Sequence, residues 1–212
     1  MSISKKFSGT IACIGTGPTL TPQQVEAARS KGFTLFGCNN VWELAPLAVH
    51  YACNEAWWNH YWSPALAADQ AEKWTCNAAA AARYGLNWVA ERNAPGLSTD
   101  PDVIHHGHGS GYTLLNLAYL MGAEMIVLLG YDLKYAPDYD GHQQQIGSEP
   151  RHYFGEYPEP LTHWPKVHVK RGVHVELLEL YRSVAKQGLV EILNASPDSA
   201  LEWFPKVSIN AL

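Results

Sequence analysis

Several stretches hold side chains whose types and spacing could do chemistry. Gly15-Thr16-Gly17-Pro18-Thr19-Leu20 lies between an apolar run and a helix-start signal. Glycines in such a turn let backbone N–H groups approach a phosphate, and the helix N-terminus that follows adds a favourable dipole. The turn is neither GxGxxG nor a Walker A sequence, since no Gly-Lys-Ser/Thr follows, so a plain strand-to-helix turn explains it equally well. Asn39 and Asn40 follow a second apolar run, and Asn54 follows a third. A neutral amide can bond a phosphate, a ribose or a sugar hydroxyl, although asparagine is also a good turn former. Asparagines at successive strand ends beside a glycine turn favour a ligand site.

Further along, His105-His106-Gly107-His108-Gly109-Ser110-Gly111 leads into a strongly apolar helix. Ser110 reads as its N-cap and, with Gly111, as part of a second anion-binding helix start. The histidines, with His142, suggest a metal, but no HExxH or CxxC spacing supports one, and no metal site is assigned. Asp132 closes the apolar run 125–130, where ligand groups gather in open α/β sheets; holding a loop through backbone N–H groups is an equal reading. Arg151-His152-Tyr153-Phe154-Gly155-Glu156-Tyr157-Pro158 gathers a cation, an imidazole, phenols and a carboxylate. Such a set can take a proton from an attacking hydroxyl and stabilise a leaving phosphate; an ordinary surface loop with aromatic anchors is the plainer alternative.

The elements that must position these groups alternate. Strands are predicted at 10–15, 33–38 and 48–53, with a helix from Pro22 to near Gly32 capped by Thr21 and Gln24. Residues 72–76 and 86–90 read as strands around an alanine-rich helix at 78–82. A largely buried helix over 110–121 feeds a central strand at 125–130, and a helix over 173–186 feeds a last strand at 189–193. Alternation of this kind predicts an α/β, Rossmann-like, mainly parallel sheet with helices on both faces. Residues 1–212 read as one domain, with 135–170, rich in Pro, Gly, His and Tyr, as a lid or active-site loop.

Composition narrows the function. The chain has 212 residues, 47% hydrophobic and 17% charged, with a formal net charge of −5. A net negative charge argues against bulk nucleic-acid binding, and the one dense basic stretch, 166–171, is short. No apolar run approaches a membrane span, the N-terminus has no signal-peptide core, and Cys13, Cys38, Cys53 and Cys76 form no CxxC pair. Reduced thiols and a cytoplasmic location follow as expectations. Trp57, Trp58, Tyr61 and Trp62 form either a stacking wall or an interface of a homo-oligomer.

Taken in order, GTGPTL at 15–20, FGCNN at 36–40, HYACNEAWW at 50–58, GSGYTLLNLAYLMGAEMIVLLGYDL at 109–133 and HYFGEYP at 152–158 resemble the Rossmann-like bacterial sialyltransferases that use CMP-sialic acid. The chain is also similar to 6-hydroxymethylpterin diphosphokinase-like proteins. It looks closest to uncharacterised bacteriophage proteins in the GYDL, HYFG and ILNASPDSALEWFP stretches, which would make the compartment the host cytoplasm. The resemblance implies that Gly15, Thr16 and Gly17 meet the nucleotide phosphate, with Thr16 where the family has asparagine. It implies that Asn39, Asn54 and Ser110 meet the donor. It puts Glu156 where the family has its general-base histidine and Lys134, followed by Tyr135, where the family has a phosphate-binding tyrosine. Donor-side residues are mostly kept and reaction-side residues are changed.

The expected function is therefore inverting transfer of a sugar from a nucleotide-sugar, CMP-type favoured, to an acceptor the sequence does not identify. Glu156, or His152 in another loop register, would act as base, Lys134 and Tyr135 would stabilise the leaving phosphate, and no cofactor or metal is required. Two alternatives stand beside it. One is ATP-dependent diphosphate transfer, with Mg2+ on Asp132, Asp138 and Asp140. The other is a non-catalytic protein that binds or sequesters a nucleotide.

Overall fold

The computed structural model describes residues 2–107, 109–134, 152–159, 161, 169–170 and 173–212. In chain order the elements are β1 (Thr10–Ile14), α1 (Pro22–Ser30), β2 (Thr34–Cys38), a 3-10 turn (Asn39–Glu43), β3 (Val49–Tyr51), α2 (Glu55–Tyr61), α3 (Pro64–Ala68), β4 (Glu72–Thr75), α4 (Ala78–Tyr84) and β5 (Asn87–Trp88). There follow β6 (Ala90–Arg92), β7 (Val103–His105), α5 (Ser110–Leu120), β8 (Met125–Leu129), β9 (Val169–Lys170), β10 (Val173–His174), α6 (Val175–Gln187), β11 (Glu191–Asn194) and a second 3-10 turn (Ile209–Ala211).

A seven-stranded sheet runs β11-β8-β1-β2-β3-β4-β5 and every pairing in it is parallel. Alternate residues of the central strands enter different cores. Ile11 and Cys13 of β1, with Ile126 and Leu128 of β8, pack with Leu114, Leu115 and Leu117 of α5 and with Tyr181 and Val184 of α6. Ala12, Ile14, Val127 and Leu129 pack on the other face with Val25 and Ala28 of α1. A strand apolar at every position needs cover on both sides, and the helices supply it. The order reverses at β1, so the gap between the carboxyl ends of β1 and β8 is the topological switch point, where open α/β sheets bind ligands.

Local signals explain most boundaries. Thr21 accepts from the backbone N–H of Gln24 while the Gln24 side chain accepts from Thr21, the reciprocal cap read in the sequence. Helix α5 is capped one residue earlier than predicted, by Gly109, which puts Ser110 inside the first turn. Asn116, fully buried in α5, takes the N–H groups of Ser98 and His105 on its amide oxygen and donates to the Ser98 carbonyl, tying the loop before β7 to the helix. Val173–His174 pairs with β9 in antiparallel fashion, so the last helix begins at Val175 rather than at 173. Helices α2 and α3 went unread, although Ser63 caps α3 by accepting from Leu66 N–H with Pro64 behind it. Among the described residues no helix is long and apolar enough to cross a membrane.

Candidate functional site

The carboxyl edge of the sheet gathers the 15–19 turn, Asn39 and Asn40, Asn54, the start of α5, the 130–134 segment and the 152–157 hairpin. Side chains and backbone link them directly.

The glycine turn is held by the end of β8. Gly15 donates to the Leu129 carbonyl at 2.8 Å and Gly17 to that of Gly130 at 2.9 Å. A Cβ on Gly17 would lie 1.8 Å from Oδ2 of Asp132 and 2.6 Å from the Gly130 oxygen, so only glycine fits. Asp132, 3% exposed, accepts from the Thr19 backbone N–H at 3.3 Å and from the Thr19 hydroxyl. Burial pushes its carboxyl above the usual range, while the bonds from Thr19 pull the other way. A carboxylate of the protein thus lies against the turn the sequence offered for phosphate. The Asp132 carbonyl accepts from Ala200 N–H. These contacts match the loop-holding reading of Asp132.

The 152–157 hairpin docks on this turn and on the end of β2. Within it, His152 and Gly155 exchange backbone bonds of 3.2 and 2.9 Å. Nδ1 of His152 lies 3.0 Å from Oγ1 of Thr16, and Tyr153 N–H donates to the Thr16 carbonyl at 3.0 Å. The Tyr153 hydroxyl donates to the Asn40 carbonyl at 2.7 Å. The His152 ring stacks on Phe154 at 5.0 Å and meets Tyr157 edge-on at 4.8 Å. Tyr157 is buried and Glu156 exposed, so this hairpin turns its histidine toward the turn and leaves its carboxylate outside.

Asn39 is a buried non-glycine residue at φ +49, its carbonyl bonded to His50. Asn40 is structural on both ends: its Oδ1 accepts from Trp57 Nε1 at 2.9 Å and its Nδ2 approaches Glu43 at 3.4 Å. Asn54 is exposed at the N-cap of α2 without a side-chain cap bond. Ser110 is 7% exposed, and its Oγ accepts from Cys53 N–H at 3.3 Å, beside the Cys53 sulfur at 3.2 Å. Gly111 abuts Tyr131, whose hydroxyl donates to the Gly111 carbonyl at 2.9 Å. Gly109, Ser110 and Gly111 thus set the helix start close to the switch point, with no side-chain cap. Lys134 is exposed, after Leu133 at φ +50, and bridges to Val173.

Tyr135, Asp138, Asp140, His142, His108, Arg151 and the basic stretch apart from Val169 and Lys170 lie outside the described residues. Among the described residues no three His, Cys, Asp or Glu side chains converge as a metal site. His105 instead bonds the Gly96 carbonyl through Nδ1, and His106 lies 4.0 Å from Glu91. The cysteines are unbridged, and burial pushes the Cys38 thiol up to about 12, as for a small apolar residue. The aromatic run of α2 is packed rather than open: Trp57 and Trp58 are buried, and Tyr61 stacks on Trp57 at 5.0 Å and meets Tyr157 at 6.4 Å. Thr19 and Tyr153 lie inside stretches the sequence singled out but were assigned no role of their own, and His50 was assigned none either. A lone His in an apolar strand has no spacing that marks it out, and nothing local shows which hydroxyl of a flagged stretch meets a distant carboxylate or carbonyl.

No family model and no curated protein matches the chain. Among solved structures, the MAf glycosyltransferase from Magnetospirillum magneticum AMB-1 superposes with a TM-score of 0.60 at 13% identity, over 100% of this chain and 36% of that one. The chain thus spans well under half the length of that protein, and at this identity the likeness is one of fold alone: a Rossmann-like α/β architecture.

Proposed function

We propose that the chain is a glycosyltransferase that moves a sugar from a nucleotide-sugar, CMP-type by the sequence resemblance to sialyltransferases and their phage relatives, to a hydroxyl acceptor with inversion. The observation that carries the reading is the bond between Thr16 and His152, which joins the donor-side turn to the reaction-side hairpin. In this reading the nucleotide lies over the carboxyl edge. Thr16, Asn39, Asn54, Ser110 and Gly111 hold it, while Gly15 and Gly17 shape the turn by letting β8 approach.

His152 is the preferred base. With Nδ1–H donated to Thr16, Nε2 carries the lone pair that takes the acceptor proton. The acceptor oxygen then bonds to the anomeric carbon as the bond to the phosphate breaks, and the nucleotide leaves with that electron pair. Lys134, with Tyr135, offsets the developing phosphate charge. Glu156, which is exposed, ranks second as base. Such a displacement needs positioning, a base and charge stabilisation, and so no metal. Support against the diphosphokinase alternative is that Asp132, one of its magnesium candidates, is buried and engaged by Thr19.

The test is a screen of CMP-, UDP-, GDP- and ADP-sugars for thermal stabilisation and hydrolysis. One donor raises Tm and is turned over by wild type, while His152→Ala binds it and fails to turn it over. No stabilisation by any donor sinks the reading; binding with no turnover by wild type or variant favours the sequestering alternative.

A further inference from the structure

His50 belongs to no part of this reaction scheme. It sits in β3, fully buried, with its ring against Trp57 at 5.2 Å and Trp58 at 5.4 Å. Its Nε2 lies 2.8 Å from the Asn39 carbonyl oxygen, so Nε2 carries the proton and donates. Nδ1 is then a bare lone pair, and it has no partner among the described residues. A buried acceptor left without a donor is costly, and an apolar side chain would fill the same space without that cost.

The gain is at Asn39. This residue is held at φ +49, a left-handed conformation that asparagine tolerates better than other non-glycine residues but that still costs energy, so a contact that holds it there matters. His50 grips the carbonyl of that residue. The next carbonyl, that of Asn40, receives the Tyr153 hydroxyl of the hairpin at 2.7 Å. Trp57 closes the ring of contacts, touching His50 on one side and donating to Asn40 Oδ1 on the other.

We infer that His50 is a positioning residue: its Nε2–H fixes the Asn39 backbone so that the Asn39 amide is presented at the carboxyl edge, to the donor nucleotide. The inference rests on the transferase reading for the identity of the ligand, but not for the link between His50 and Asn39.

The experiment uses the full chain and CMP as probe, with affinity measured by calorimetry. Each variant is first shown by thermal melting to be folded at the working temperature. His50→Leu, or His50→Met where Leu does not fold, weakens CMP binding about tenfold. His50→Gln, whose Nε2 can donate from the same place, stays within about threefold of wild type. In an Asn39→Ala background the His50 substitution adds nothing further, since two residues acting through one contact are not additive. Equal losses in both backgrounds, or a Gln variant as weak as Leu, overturn the inference. If wild type does not bind CMP, the donor assignment fails, and a crystal structure of His50→Leu decides the remaining link. Asn39 leaving the left-handed region supports it; Asn39 unmoved at φ near its wild-type value overturns it.

Discussion

The β1–β8 side of the crevice and the 152–157 side are held by different kinds of contact. On the first, backbone meets backbone: Gly15 and Gly17 donate to the end of β8, and Cβ atoms have no room between them. On the second, side chains meet backbone: Tyr153 reaches the Asn40 carbonyl, His152 reaches Thr16, and rings of Phe154 and Tyr157 pack around the histidine. Backbone packing tolerates no substitution at its closest points but fixes no chemistry. Side-chain docking can be loosened one bond at a time, which suits the proposed role of a segment that admits a donor and an acceptor.

The largest effect of a single substitution should come at Gly17. Gly17→Ala forces a methyl into the Asp132 carboxylate and the Gly130 carbonyl, and it should cost about 3 kcal/mol or more in chemical denaturation. Gly109→Ala, with nothing within 4 Å of its Cβ, should stay within about 1 kcal/mol of wild type. If the two behave alike, the tight contact between β1 and β8 is not what shapes the turn.

Acid should act next. Burial holds His50 and His174 down to about 4, below the ordinary 6.5. The fold keeps both neutral while the unfolded chain takes up protons. Their contribution is therefore complete above about 6.5 and is lost as pH falls toward 4, on the order of 3 kcal/mol for each. Asp132, with its carboxyl raised by burial, works in the opposite sense, since the fold takes up its proton more readily. Urea denaturation at pH 7 and pH 4.5 measures the difference, and His50→Gln with His174→Gln should flatten it. A slope unchanged by both substitutions contradicts the assignment.

Smaller changes separate the two walls further. Asp132→Ala leaves the Thr19 N–H and hydroxyl without their acceptor and should cost about 1–3 kcal/mol. Combined with Thr19→Val, the loss should be less than the sum of the single losses. Tyr153→Phe removes one bond to the Asn40 carbonyl and should cost about 1 kcal/mol, while raising the rate of proteolysis near residue 152.

Strand alternation, the capping box at Thr21 and the apolar α5–β8 unit were legible because periodicity and caps are local signals. The chemistry-bearing stretches were legible as strand ends, and they do meet at one edge. What sequence spacing could not show was direction. Glycine at 17 reads as room for a phosphate, yet its space is taken by the Asp132 carboxylate, a residue more than a hundred positions away. Asn40 reads as a ligand group, yet its amide is bonded to Trp57. The tryptophans of α2 hid a helix because aromatic residues carry weak helix propensity, and here their burial decides the structure.

The proposed nucleotide lies over the carboxyl ends of β1, β2 and β3, between the 15–19 turn and the 152–157 hairpin. Titration of CMP into isotopically labelled protein, followed by amide chemical shifts, tests it directly. Changes should centre on Thr16, Asn39, Asn54, Ser110, Gly111 and Tyr153, with β11 and the opposite edge of the sheet silent. Shifts centred elsewhere, or none with CMP, UMP, GMP or AMP, would contradict it.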